Sequence, residues 1–256
     1  MKILSSVWWM FCASLALPSL AATIPMGTAH AYAVLGSTTV TNTGSTHLEG
    51  DLGVYPGTAI TGFFGTTENE GPGTFSGVAH QGNASAQQAQ ADALTAFNQL
   101  SDLDFTQDLT GQNLGGLTLA PGVYRFDSSA QLTGALTLDG QGLYVFQIGS
   151  TLTTAANASI TFLNNANPFT DVFWKIGSSS TFGADTLFGG TVIADQSQTL
   201  GTGTRVDGRI LALNGAVSLD NNIITVPEPS SFWMMTLAGI GCLLLSVRRD
   251  SRKTSC

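Results

Sequence analysis

The chain has 256 residues, enough for one domain with a full core once terminal segments are set aside. Its net charge of −8 excludes a nucleic-acid binder, which needs a basic footprint on the phosphate backbone. Charged residues make up only 10% of the chain, against about a quarter in an ordinary soluble domain, so Thr, Ser, Asn and Gly must keep the surface wet.

In chain order, the first segment reads as an export signal. Lys2 gives a positive start, Ile3 to Leu17 is apolar, and Ser19-Leu20-Ala21 is a small-x-small cleavage site, which sets the signal at residues 1–21. The exported domain then spans residues 22–225. Cys12, Cys242 and Cys256 all fall outside it, so its stability rests on packing and backbone hydrogen bonds, without disulfides. His30, His47 and His80 lack metal-ligand spacing, and no cofactor is expected.

One helix is predicted, over about residues 84–100. Asn83 or Ser85 supplies the N-cap, and Ala86, Ala89, Ala93, Phe97 and Leu100 recur on one face at three- and four-residue spacing. The helix is expected to lie against an apolar surface. Nearly everything else reads as short strands and Gly-rich turns.

The C-terminal half repeats itself. STFGADTLFGGTVIA (180–194) matches QTLGTGTRVDGRILA (198–212) at an offset of 18, and AVSLDNNIIT (216–225) follows at 19. Upstream, YVFQIGS (144–150) resembles VFWKIGS (172–178), 28 residues apart. Strand periodicity repeating near this length predicts a β-solenoid, in which each coil buries its apolar side against its neighbours. Side chains alternate across a strand. With Leu152, Phe182 and Leu200 inward, Thr151, Thr153, Thr181, Thr199 and Ser218 point outward and stack from coil to coil. From Gly140 to Thr170 the chain carries no charged residue and no His. The expected result is an uncharged lattice of hydroxyls and methyls, spaced about 4.8 Å between coils and about 6.7 Å along a strand.

Carboxylates that could serve an enzyme are few. Asp102 and Asp104 follow the helix and read as loop residues. Arg205, Asp207 and Arg209 alternate in sign along one strand and read as an ion-pair ladder on the surface. Asp139-Gly140-Gln141-Gly142 reads as a turn. Neither a nucleophile elbow nor a zinc-protease motif is present, so no catalytic residue is assigned.

The last segment, 226–256, is a tail of fixed layout. Pro227, Glu228 and Pro229 precede an apolar run, residues 232–247, read as a short transmembrane segment. Arg248 and Arg249, with Arg252 and Lys253, follow it and would stay on the cytoplasmic side. This layout resembles the PEP-CTERM sorting signal of Gram-negative bacteria. The resemblance implies processing by an exosortase, a transient stay in the inner membrane, and a final place at the cell surface or in the medium.

The domain itself resembles the microbial ice-binding protein family of bacteria, fungi and algae. The likeness is carried by YAVLGSTTVTNTGSTHLEGDLGVYPGTAITGF (32–63), GGLTLAPGVYRFDSSAQLTGALTLDGQG (115–142), VFQIGSTLTTA and GRILALNGAVSLDNNIIT, and by the position of the helix. It implies a mainly β fold: a discontinuous right-handed β-solenoid of triangular section with one long α-helix packed alongside. It also implies ice as the partner. Quartets of the family's Thr-Ala/Gly-x-Thr/Asn type are Thr58-Ala59-Ile60-Thr61, Thr110-Gly111-Gln112-Asn113 and Thr154-Ala155-Ala156-Asn157. These add Thr58, Thr61, Thr110, Asn113, Thr154 and Asn157 to the candidate ice-binding residues. Asp185, Arg205, Asp207, Arg209 and Asp220 would weaken binding if they lay on that face. An alternative reading keeps the scaffold without ice activity, as a structural or adhesive component of a matrix with exopolysaccharide as partner.

Overall fold

The computed structural model describes residues 24–66 and 70–227. The expected export signal, residues 1–21, lies outside them, as do Glu228, Pro229, the apolar run 232–247, Arg248 and Arg249. Among the described residues the fold is mainly β, with one α-helix, Ala84–Ser101, and a 3-10 turn, Gly27–Ala31.

The strands stack in parallel, and successive turns of the chain build three stacks, two of them joined in one sheet of 15 strands and the third a separate sheet of 7. A covered sheet runs through Gly122–Phe126, Tyr144–Ile148, Val172–Ile176, the ends of Leu187–Ala194 and Arg205–Ala212, then Tyr32–Gly36, Asp51–Val54 and Ala79–Gln81. An open sheet runs through Ala130–Leu132, Leu152–Thr154, Ser180–Phe182, Gln198–Leu200, Val217–Leu219, Thr39–Asn42 and Ala59–Thr61. A charged sheet runs through Thr118–Leu119, Ala135–Asp139, Ser159–Leu163, the starts of Leu187–Ala194 and Arg205–Ala212, then Ile223–Thr225, His47–Glu49 and Thr74–Phe75. The offsets seen in the sequence are the registers themselves: Thr181 pairs with Thr199, Thr199 with Ser218, and Tyr144 with Val172.

Stack order differs from chain order. The N-terminal strands add on after the last C-terminal coil, so Thr39–Asn42 pairs with Val217–Leu219 and Tyr32–Gly36 with Arg205–Ala212. The helix runs back along the stack and lets the chain restart at its far end. Two long strands bend from the charged to the covered sheet. In Arg205–Ala212 the bend is Gly208, at φ 151°, where an added Cβ would sit 2.0 Å from the Gly190 carbonyl oxygen. Only glycine lets successive backbones nest there.

The interior is filled by ladders of like residues. Trp174 lies between Phe146, stacked nearly parallel at 3.8 Å, and Phe188 at 4.8 Å. Its indole N–H donates to the Gly189 carbonyl at 2.9 Å.

Asn83 caps the helix by accepting from the Ala86 amide at 3.0 Å. Ala86, Ala89, Ala93, Ala96 and Leu100 are its buried residues. Phe97, predicted on that face, is half-buried, and the Lys175 ammonium sits 4.8 Å from its ring centroid. The small alanines let the helix close over Val145, Phe173, Ile193 and Leu211 of the covered sheet. These strands therefore bury both faces and read as continuous apolar runs.

Asp92 ties the helix to the 3-10 turn. Its carboxylate accepts from the Thr28 amide at 2.6 Å, the Thr28 hydroxyl at 2.7 Å and the Gln88 side chain at 2.9 Å. Partial burial pushes this carboxyl up, but the hydrogen bonds from Thr28 and Gln88 outweigh it and hold the pKa below the ordinary value. A depressed folded pKa gives stability that is present above the unfolded pKa and is lost as pH falls through the folded one. Asp92→Asn should therefore cost at most about 1 kcal/mol near neutrality, where water screens the site. Melting curves from pH 7 down to pH 2 should show the gap between the two proteins closing below about pH 4.

The expected ion-pair ladder of Arg205, Asp207 and Arg209 does not form. Arg209 is 5% exposed. Past the Gly208 bend it lies on the covered sheet, under the N-terminal turn. It donates to the His30 carbonyl at 2.7 Å, and at 3.4 Å to the Phe169 carbonyl and the Thr191 hydroxyl. It clamps two loops onto the stack, and desolvation lowers its pKa to about 10.

Candidate binding surface

The three sheets offer different surfaces. The covered one lies under the helix. The charged one exposes His47, Glu49, Arg205 and Asp207 beside Leu163 and Leu187. Desolvation, with the Glu49 carboxylate nearby, pushes the Asp207 carboxyl up. The open sheet carries no charge in its central outward row. Successive registers align Asn113, Gln131, Thr153, Thr181, Thr199, Ser218, Thr41 and Thr61 along the stack.

Local sequence explains this row. Apart from Ala59–Thr61, which is shifted by one, the short strands read in-out-in: Leu152, Thr153, Thr154; Ser180, Thr181, Phe182; Gln198, Thr199, Leu200. The middle residue alone faces water. Thr suits it, because its β-branch fits a strand and stiffens χ1. Beside this row runs a second of small residues, with Ser129, Thr151, Ser179, Ser197, Thr39 and Ala59 in it. Thr151 donates to the Ser129 hydroxyl at 2.8 Å, and Thr39 pairs with Ala59.

Of the predicted residues, Thr151, Thr153, Thr181, Thr199, Ser218 and Thr61 come together on the open sheet. Asn113 ends the row, its side-chain oxygen held by the amides of Gly115 at 2.8 Å and Thr133 at 3.0 Å. Thr58 is exposed just before the last strand of the row.

The quartets are not equivalent sites. Thr154 is only 3% exposed and points into the core, the necessary consequence of Thr153 pointing out. Its hydroxyl is satisfied by Thr186 at 2.9 Å and by the Gly183 amide at 2.9 Å. Asn157 is exposed at φ 59° in the turn toward the charged sheet. The Thr110 hydroxyl accepts the Asp127 amide at 2.9 Å and closes a turn.

The charges of the later coils mostly avoid the row. Asp185 sits in a turn at φ 56°, while Arg205 and Asp207 lie on the charged sheet. Asp220 directly follows Val217–Leu219 at the edge of the open sheet, its carboxylate engaged by the Thr202 hydroxyl.

Sequence reasoning missed Gln131 and Thr41. Thr39-Val40-Thr41 carries the in-out alternation, but nothing local signals that it stacks on Ser218.

Among the described residues no group of three or more His, Cys, Asp or Glu gathers as a metal site. A cavity of about 480 Å³ lies between Thr28, His30, Tyr32, Asp51, His80 and Gln88. There, desolvation and the Asp51 charge push the Tyr32 phenol up to about 12, so it stays protonated near neutrality. Asp102 ends the helix and, like Asp104, is exposed.

These features define a class: a parallel β-stack that presents a regular surface. Comparison with known proteins gives the family. Residues 34–225 match the ice-binding-like family, and the chain belongs to it. Residues 225–249 match the PEP-CTERM protein-sorting motif. An ice-binding protein of Nostoc sp. (strain HG1) is 47% identical, over 91% of this chain and 90% of the relative. One from Flammulina populicola is 32% identical, over 80% and 89%. The crystal structure of an ice-binding protein from the Antarctic ascomycete Antarctomyces psychrotrophicus superposes with a TM-score of 0.75 at 38% identity, over 81% of this chain and all of that one.

Proposed function

We propose that residues 22–225 form an exported domain that adsorbs to ice through the open sheet. It blocks growth or recrystallisation of the crystal and catalyses no reaction. The observation that supports this most is the register aligning Thr153, Thr181 and Thr199 in one exposed, uncharged row. Membership of a family of ice-binding proteins agrees with it. The parallel stacking and the return of the N-terminal strands support a discontinuous solenoid, which we read as right-handed and triangular in section.

The mechanism is adsorption. Stiff threonines hold hydroxyl and methyl groups at fixed positions with little entropy left to lose. The hydroxyls bridge to ordered waters almost as well as by direct hydrogen bonds. Charges would pull those waters into their own shells, and the row has none. Thermal hysteresis and recrystallisation inhibition of the purified protein test the reading. Activity at micromolar concentration is expected, and its absence would refute it.

From Thr153 to Thr61 the row is interrupted at one position. Ser218 lacks the methyl that Thr199 and Thr41 carry on either side. Ser218→Thr should raise activity by about fourfold, from one added methyl in contact at about 0.8 kcal/mol. Recrystallisation assays at matched concentrations read this directly.

The sorting motif supports export and a place at the cell surface or in the medium, with exosortase processing near Pro227, Glu228 and Pro229 and the inner membrane occupied transiently. The same motif favours a compatible second reading, adhesion within an exopolysaccharide matrix. A pull-down with the producer's polysaccharide tests that.

A further inference from the structure

The described chain leaves the stack at one particular corner. Each turn passes from open to charged to covered sheet, so one corner, between charged and covered, does not border the open sheet. The last strand, Ile223–Thr225, belongs to the charged sheet, and the Val226 amide then donates to the Glu49 carbonyl at 3.1 Å. Glu49 ends one strand of the charged sheet, and Asp51 begins the next strand of the covered sheet. Gly50, between them, is the corner. An added Cβ there would meet a Val226 methyl at 2.5 Å and the Ala31 carbonyl at 3.0 Å. The N-terminal turn, Gly27–Ala31, and the C-terminal residues thus meet at this corner, with Pro227 exposed. The sorting motif begins at residue 225, so any attachment it makes starts here.

We infer that this protein binds ice while tethered through its C-terminal end. The attachment corner is the one that leaves the whole Asn113-to-Thr61 row unobstructed. The partner surface is an ice crystal engaged by many copies on one support, which makes the protein an adhesin as well as a growth inhibitor. The inference rests on the open sheet being the ice-binding surface. Avidity follows from the placement, because copies fixed to one support with their rows outward bind one crystal together.

The test holds the full chain on lipid vesicles through a histidine tag at its C-terminus. Capture of the vesicles by a slowly growing ice front is compared with capture of the free chain and of vesicles carrying Thr181→Tyr. The expected result is capture at a protein concentration about a hundredfold below that needed by the free chain, with the Thr181→Tyr vesicles left in the liquid. If the free chain enters ice but the tethered vesicles do not, the inference is overturned and the reading of the sheet stands. Equal capture of the Thr181→Tyr vesicles would also overturn it. If the free chain stays in the liquid, the reading of the sheet fails and the inference with it.

Discussion

Thr199→Lys is expected to remove ice adsorption while leaving the fold intact. Thr199 is exposed and sits between Thr181 and Ser218 in the central row. A lysine there replaces a stiff, short side chain with a long, mobile one that carries its own hydration shell. It breaks the lattice at its middle and pushes the crystal away from both halves. The loss should be at least about tenfold, equivalent to roughly 1.4 kcal/mol of adsorption free energy. Folding stability should change little, because an exposed substitution away from caps and packing shifts it by about 0.5 kcal/mol or less. Recrystallisation inhibition and a melting curve on the same sample separate the two effects.

Trp174→Ala is expected to act on the scaffold instead. Trp174 is fully buried, stacks on Phe146, packs at a tilt against Phe188, and satisfies the Gly189 carbonyl at the strand bend. Truncation leaves a large cavity and an unpaired carbonyl, costing about 3–5 kcal/mol. For a domain of this size the melting temperature should fall by about 6–20 °C. That cost is a large share of the stability of an ordinary domain. Circular dichroism on heating measures it, and adsorption by the surviving folded fraction should be unchanged.

Much of this was readable in the residues. The helix showed through its alanine periodicity and its Asn83 cap. The 18-, 19- and 28-residue offsets were the registers, because apolar ladders such as Phe146 on Trp174 demand like residues in adjacent coils. Outward placement of Thr153, Thr181 and Thr199 followed from alternation alone. The failures have equally physical causes. Treating Thr154-Ala155-Ala156-Asn157 as a surface quartet ignored the same alternation, which drives Thr154 inward. The ladder of Arg205, Asp207 and Arg209 assumed one straight strand, whereas Gly208 bends it onto another sheet and the N-terminal turn then buries Arg209. The stacking of Thr41 on Ser218 was out of reach, because it joins the two ends of the domain and no local pattern encodes that contact.

The central claim is that one sheet, and not another, meets the ice. The most direct measurement compares Thr181→Tyr on the open sheet with Thr161→Tyr on the charged sheet, both exposed strand positions, in one thermal hysteresis assay. The account predicts that Thr181→Tyr loses activity and Thr161→Tyr keeps it, with both proteins melting like the parent. Activity retained in Thr181→Tyr and lost in Thr161→Tyr would contradict it.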